Sequence, residues 1–181
     1  PHSLMDIVND NGDSVYYLVK DIPEKVRQAG LATVESFGVR SRFIHLEFFI
    51  LNEDQEGLGK KGDVLGLEVN MRPAGGYTPE MYNYSQETDV YKIWADMVAF
   101  DCDTKGTGNH HFCAFYGRRD GKVYKLDDYE IMSKYGHKMV MWGRIPEALS
   151  GAMANQMYVA NFDTEEEMMA FYADMAATYE N

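Results

Sequence analysis

The sequence predicts an α+β protein: an antiparallel sheet with flanking helices, followed by a small antiparallel β region closed by a C-terminal helix. Two β-rich runs, residues 42–51 and 64–72, are separated only by a polar loop, as neighbouring antiparallel strands are. Helical spacing of apolar residues precedes and follows this pair. Further short strand patterns come after a linker, and an amphipathic segment from Asp163 ends the chain.

The first predicted helix lies just before the two strands. Residues 21–24 have the form of a capping box with Pro23 in the first turn, and Gly38 supplies a C-terminal stop. The apolar spacing predicts that one face packs against the sheet. The positions on this face are Ile22, Val26, Ala29, Thr33 and Phe37.

Two more helices are predicted after the strand pair. Thr78, Pro79 and Glu80 signal a helix start. A longer helix then follows and ends near Phe100. Its predicted buried stripe consists of Val90, Ile93, Trp94, Met97 and Val98.

A linker at residues 101–109, rich in turn-forming residues, predicts a division into two domains, residues 1–101 and 110–181. Beyond the linker the sequence predicts a hairpin, two further strands and a final helix. The hairpin has strands at 111–116 and 123–126 joined by a turn at 118–122, and the further strands are 138–142 and 156–162. The final helix is predicted to bury Met168, Met169, Phe171, Tyr172 and Met175.

Composition argues against nucleic-acid-binding, membrane-spanning and zinc-binding classes of protein. With 17 basic and 29 acidic residues the net charge is −12, which argues against nucleic acid as a partner. No apolar run approaches the roughly 20 residues that span a bilayer, and no secretory leader is seen, so a cytoplasmic protein without a membrane partner is expected. Cys102 and Cys113 lack the spacing of a zinc site and are expected to be reduced thiols.

The most informative feature is a set of polar residues inside the strand pair. Glu47 interrupts an otherwise apolar run, while Glu68 and Asn70 lie two residues apart and therefore project from one face of an extended chain. An unpaired carboxylate in an apolar layer is costly, so a cation between the two strands is predicted. Oxygen ligands favour Mg²⁺ or Mn²⁺, and Arg72 on the same face would suit a phosphate or carboxylate.

Other interpretations of these residues stay open. The two carboxylates could instead form salt bridges at the rim of an antiparallel sheet. His45 shares a face with Glu47 and could orient that carboxylate, carry a proton or be purely structural. His111 and Cys113 share a face but no fourth metal ligand is suggested.

The segments H-L-E-F-F (45–49) and L-E-V-N-M-R (67–72), with P-A-G-G (73–76) after them, resemble the metal-binding end of ATP-grasp ligases. That superfamily includes biotin carboxylase and the large subunit of carbamoyl-phosphate synthetase. The resemblance implies that Glu47, Glu68 and Asn70 hold one or two Mg²⁺ (or Mn²⁺) ions bridging the phosphates of ATP. It implies that Arg72 faces the acyl phosphate or the substrate carboxylate.

The resemblance also implies a function. The chain is expected to be the C-terminal part of an ATP- and Mg²⁺-dependent carboxylate–amine (or carboxylate–thiol) ligase that acts through an acyl phosphate. Small-molecule carboxylates and amines are the implied substrates, and a lid and N-terminal domain earlier in the same full-length chain are the implied partners. The phosphate-clamping lysines and the adenine hinge of such enzymes are not found here, so these 181 residues alone are predicted to be inactive. A non-catalytic ATP-grasp-like binding or assembly module is the alternative, and a homodimer is left open.

Overall fold

The computed structural model describes residues 12–102, 104 and 110–179. These residues form two compact units. The first unit takes its described residues from 1–20, 76–88 and 106–181, and the second from 21–75 and 89–105. The strands are β1 (Ser14–Leu18), β2 (His45–Ile50), β3 (Val64–Asn70), β4 (Phe112–Arg118), β5 (Met139–Arg144) and β6 (Gln156–Phe162). The helices are α1 (Glu24–Ser36), α2 (Thr78–Gln86), α3 (Val90–Phe100), α4 (Asp128–Tyr135), α5 (Glu147–Met153) and α6 (Glu165–Ala176).

The first unit is built on a four-stranded antiparallel sheet with strand order β1-β4-β6-β5. Apolar clusters form on both faces of the sheet, so every residue of β4 is buried or half-buried. Met81 of α2 belongs to one cluster, and Met168, Phe171 and Met175 of α6 belong to the other. This sheet with its flanking helices confirms the predicted α+β class, and β2 and β3 form a second, two-stranded sheet.

The hairpin predicted for residues 111–126 is wrong. Strand β4 continues through Arg118, which pairs with Gln156, and the antiparallel neighbours of β4 are β1 and β6. Residues 123–126 form no strand, and only an isolated bridge joins Tyr124 to Thr178.

Two adjacent arginines at the end of β4 are buried rather than placed in a solvated turn. Arg118 is 5% exposed; its Nε and Nη2 donate to the Met175 carbonyl at 3.1 and 2.9 Å, and its Nη1 donates to the Leu126 carbonyl at 2.7 Å. Arg119 donates to the carbonyls of Gly12, Ser150 and Gly151. Because both guanidinium groups bind main-chain carbonyls, they tie loops and helix ends to the sheet.

The second unit contains the β2–β3 hairpin and the helices α1 and α3. Helix α1 packs beside the hairpin, and a Cβ built on Gly30 would lie 3.8 Å from Leu46 Cδ1. The helix begins after Pro23, and no side chain caps it, so the cap predicted at residues 21–24 does not form. Ile22 and Phe37 are 61% and 60% exposed, which contradicts their predicted packing; the other three positions of that face are half-buried.

Helix α3 has the predicted position but not the predicted burial. Asp89 caps it by accepting hydrogen bonds from the main-chain nitrogens of Tyr91 and Lys92, both at 3.0 Å. Trp94 and Val98 are 45% and 65% exposed, whereas the prediction placed them in a buried stripe.

The division of the chain differs from the predicted domains 1–101 and 110–181. Residues 14–18 pair with β4, and α2 belongs to the same unit, so two segments from the predicted first domain join the unit of the second. The final helix begins after its cap Thr164, and of the five side chains predicted to be buried only Met169 is exposed, at 52%. No helix among the described residues is long and apolar enough to cross a membrane.

We expect Arg118→Met to lower the free energy of unfolding by about 2–4 kcal/mol, because it removes the donors to the buried Met175 carbonyl and the part-buried Leu126 carbonyl. Urea denaturation measures this change. Arg144→Met is the matched control, since Arg144 makes an ion pair with Asp120 in which both side chains are about 60% exposed. The control should leave stability nearly unchanged. Equal losses in the two variants would contradict the structural role of Arg118.

Candidate functional site

The β2–β3 hairpin brings three of the four predicted site residues together. The strands pair antiparallel, with Glu47 directly opposite Glu68 and His45 directly opposite Asn70. Directly opposite residues in an antiparallel pair project from the same face, with Cβ atoms about 4.5–5.5 Å apart. The hairpin therefore carries a block of four polar side chains on one face.

This polar face is the face of the hairpin that α1 does not cover. Leu46 points towards Gly30 of α1, so its neighbours His45 and Glu47 point the other way. A β-bulge lies between Glu47 and Phe48, where the block ends. Glu47 is half-buried and Glu68 is exposed, so a ligand can reach both carboxylates.

His45 is the basic neighbour of the two carboxylates. Its Nε2 lies 3.6 Å from Glu47 Oε1, with the two side chains 28% and 39% exposed. This distance exceeds that of a hydrogen bond, so the attraction is that of an ion pair when the ring is protonated. The Nδ1 atom is buried and has no hydrogen-bond partner among residues 12–102, 104 and 110–179. All three roles predicted for His45 therefore stay open.

Arg72 is not part of the strand. Strand β3 ends at Asn70 and the chain bends, so the two-residue alternation that predicted a shared face does not extend to Arg72. The exposed guanidinium donates from Nη1 to the carbonyl of Pro73 at 2.9 Å. Its position is close to the block in sequence, but its orientation is set by the bend.

The donor set suits a hard cation. Two carboxylates and the Asn70 amide offer oxygen atoms, which Mg²⁺ and Mn²⁺ prefer, and such ions commonly complete their shell with water and phosphate oxygens. Within the described part of the chain, no three His, Cys, Asp or Glu side chains converge as a ready-made metal site. The metal-binding role of Glu47, Glu68 and Asn70 therefore stays a prediction that needs ligands from elsewhere.

The other sites weighed from the sequence gain little. His111 Nδ1 lies 3.2 Å from Asp163 Oδ1, so the ring already faces a carboxylate. Burial raises the pKa of the Cys113 thiol to about 12, and the thiolate that would bind a metal is therefore scarce at neutral pH.

One cleft was not anticipated from the sequence. It has a volume of about 630 Å³ and lies in the first unit, where β4 ends and α4 begins. Its charged walls are largely paired: Arg144 donates to both carboxylate oxygens of Asp120 at 2.7 and 2.6 Å, and the Tyr158 hydroxyl donates to Asp128. Because these groups satisfy one another, they are less available to bind a ligand in the cleft.

Comparison with known proteins shows the fold. Neither a protein-family model nor a curated protein sequence matches the chain. The structure is similar to the L-amino acid ligase from Bacillus licheniformis, with a TM-score of 0.63, 17% identity, and coverage of 92% of this chain and 46% of that one. It is also similar to the phosphoribosylglycinamide synthetase from Anaerococcus prevotii, with a TM-score of 0.57, 12% identity, and coverage of 90% and 46%.

Both solved structures are of ATP-grasp enzymes, and the likeness shows that this chain has the fold of part of such an enzyme. The chain spans about half the length of each. Neither of the two is a biotin carboxylase or a carbamoyl-phosphate synthetase, so the narrower resemblance to those enzymes stays a prediction.

We expect Glu68→Gln to raise the stability of the second unit by about 0.2–1 kcal/mol without divalent cations, because it removes a like charge directly opposite Glu47. The same change in a Glu47→Gln background should have no such effect, since the repulsion is then already gone. Trp94 is in the second unit and Trp142 in the first, so Trp94 fluorescence in a Trp142→Phe background follows the relevant unit through urea denaturation with EDTA.

Glu56→Gln, in the exposed loop between the two strands, is the control and should behave identically in both backgrounds. Equal effects of Glu68→Gln with and without Glu47 would mean that the two carboxylates do not share a face.

Proposed function

We propose that this chain is the C-terminal part of an ATP-grasp ligase that joins a small-molecule carboxylate to an amine, or to a thiol, through an acyl phosphate. The observation that carries the proposal is the register of β2 and β3, which sets Glu47 opposite Glu68 with Asn70 on the same face. The likeness to half of two ligases of this fold supports it.

In this proposal Glu47, Glu68 and Asn70 would hold Mg²⁺ or Mn²⁺ against the phosphates of ATP. The bound ion would neutralise the negative charge on the transferring phosphoryl group. His45 would keep the Glu47 carboxylate turned towards the shared face, since its Nε2 lies 3.6 Å from that carboxylate. Arg72 would donate hydrogen bonds to the acyl phosphate or the substrate carboxylate, which a planar guanidinium fits.

The reaction has two steps. A substrate carboxylate oxygen attacks the γ-phosphorus of ATP, and ADP leaves, which gives the acyl phosphate. The amine then attacks the acyl carbon and loses a proton, and inorganic phosphate leaves with the oxygen that came from the carboxylate. The chain contributes position and charge to both steps, which is how enzymes catalyse phosphoryl transfer.

The rest of the active site would come from other residues of the same full-length chain. The chain covers 46% of each solved ligase, and we propose that a lid, an adenine pocket and an N-terminal substrate domain are supplied by the remainder. A cytoplasmic location, where ATP is available, is part of the proposal. The proposal names no particular carboxylate substrate and no subtype of the superfamily, because both depend on pockets that other residues of the full-length chain would form.

The test is an assay of the full-length gene product with ATP, Mg²⁺ and a panel of amino acids and other small carboxylates labelled with ¹⁸O. We expect release of ADP and the transfer of one ¹⁸O atom from the carboxylate to inorganic phosphate. Glu68→Gln should lower kcat by about 10²–10³-fold, because it removes a charge that positions the metal at the reacting phosphate. EDTA should abolish turnover, and added Mg²⁺ or Mn²⁺ should restore it.

The 181-residue chain by itself should not turn over ATP faster than its Glu68→Ala variant. Turnover above that control would show that the active site lies elsewhere in these residues. If the full-length protein binds partners but never consumes ATP, the non-catalytic alternative would replace the proposed ligase function.

A further inference from the structure

The turn after β4 contains the only Asp-Gly pair in the sequence, Asp120-Gly121. In such a pair the main-chain nitrogen of the glycine can attack Cγ of the aspartate, because glycine has no side chain to hinder the approach. Gly121 has a φ of +84°, and beyond its chain neighbours no atom lies within 4 Å of the place where a Cβ would be. Within the described part of the chain the Gly121 N–H has no hydrogen-bond acceptor, so no contact among these residues holds this nucleophile back.

The Asp120 carboxylate, which would be attacked, is held by a neighbour on β5. Arg144 donates from Nη1 to Asp120 Oδ1 at 2.7 Å and from Nη2 to Asp120 Oδ2 at 2.6 Å, so one planar group binds both carboxylate oxygens. The Asp120 main-chain nitrogen donates to Asn155 Oδ1 at 3.1 Å. The side chain and the backbone of Asp120 are therefore both tied to the strands beside the turn.

This arrangement opposes attack by Gly121 in two ways. Attack on Cγ expels a hydroxyl group, so it requires the neutral form of the carboxyl. The hydrogen bonds from Arg144 hold the pKa of the Asp120 carboxyl below its usual value, which lowers the neutral fraction at neutral pH. A carboxyl group held by two hydrogen bonds also has less freedom to turn towards the Gly121 nitrogen.

We propose that Asp120-Gly121 is a site of spontaneous aspartate isomerisation through a succinimide, and that Arg144 slows this reaction in the folded protein. The proposal is independent of the ligase function. The Gly121 nitrogen attacks Cγ of Asp120, its proton leaves with the hydroxyl group as water, and a five-membered imide forms. Water then adds to one of the two ring carbonyls and breaks the C–N bond of that carbonyl. Opening at Cγ restores aspartate, and opening at the main-chain carbonyl gives isoaspartate.

Isomerisation would alter the turn beside a buried anchor. In isoaspartate the main chain runs through Cβ, so the chain gains one carbon atom, and the free carboxylate is attached directly to Cα and reaches Arg144 less well. The preceding residue, Arg119, is 6% exposed, and its main-chain nitrogen donates to the Tyr124 hydroxyl at 2.9 Å. The ion pair of Arg144 with Asp120 thus protects the main-chain geometry next to the buried Arg119.

The test follows the 181-residue chain at neutral pH in water labelled with ¹⁸O. Each opening of the imide adds one ¹⁸O atom, whether aspartate or isoaspartate results. Endoproteinase Lys-C releases peptide 106–122, which contains Asp120-Gly121, and mass spectrometry with electron-transfer fragmentation locates the isotope and the isoaspartate. The labile pair Asn11-Gly12 falls in peptide 1–20, so it does not interfere.

We expect ¹⁸O to enter Asp120 about two- to fivefold faster in Arg144→Met than in the unsubstituted chain, which is the effect of losing one well-formed surface ion pair. Arg144→Lys keeps the charge but not the planar pair of donors, and its rate should lie between these two. Arg27→Met is the matched control, because Arg27 also binds both oxygens of a carboxylate, that of Glu24, at 2.7 Å each. It should leave the rate at Asp120 within about 1.5-fold.

The same chains are also measured in urea, where the ion pair is absent. There all of them should react at one rate, and that rate should exceed the rate of the folded, unsubstituted chain. Equal rates in the folded chain with and without Arg144→Met would overturn the protective role of Arg144. If Arg144→Met does not fold, the comparison of the unsubstituted chain with Arg144→Lys decides in the same way. A lack of ¹⁸O at Asp120 even in urea would overturn the assignment of the site itself.

Discussion

The antiparallel register of β2 and β3 is the constraint on which the candidate site depends. Side chains alternate along a strand, so a shift of one residue would turn Glu47 towards α1 and separate it from Glu68. The loop that joins the strands continues the register of the strand ends, from Ile50 opposite Val64 to Phe48 opposite Gly66. Leu51 N donates to the Asp63 carbonyl at 3.0 Å, and Gly62 N donates to the Leu51 carbonyl at 2.7 Å, so the ladder continues into the loop. The long loop is thus a closed extension of the hairpin. The β-bulge between Glu47 and Phe48 then shifts the pairing by one residue, and this shift places Glu47 opposite Glu68.

Local sequence rules predicted this part of the molecule well, for a physical reason. Glu68 and Asn70 share a face because they are two residues apart, and Glu47 lies on the neighbouring strand because hairpin strands are adjacent both in sequence and in space. The β-bulge that sets Glu47 directly opposite Glu68 was not predicted. The alternation of side chains along a strand does not predict the position of Arg72. Strand β3 stops at Asn70, and a main-chain bend, which no periodicity encodes, decides where the guanidinium points.

The parts that sequence reasoning missed depend on distant residues. Strand β1 pairs with β4, about a hundred residues later in the chain, so the sequence near residues 14–18 does not indicate which strand it pairs with. Arg118 and Arg119 lie in the segment that was predicted as a hairpin turn. Their burial depends on main-chain carbonyl groups that only the tertiary fold brings near them. Helix α4 was missed despite a local signal: Asp127 and Glu130 form a complete capping box at its start.

The location of the candidate site has a consequence for folding. Glu47 and Glu68 repel each other across β2 and β3, and they do so in the unit whose described residues include no buried core. The free energy of unfolding of such a unit is small, so repulsion between two carboxylates lowers it by a large fraction. A cation held between the carboxylates would remove the repulsion. Because a ligand that binds only the folded form stabilises it, metal binding would favour the conformation in which the hairpin sets the two carboxylates opposite each other.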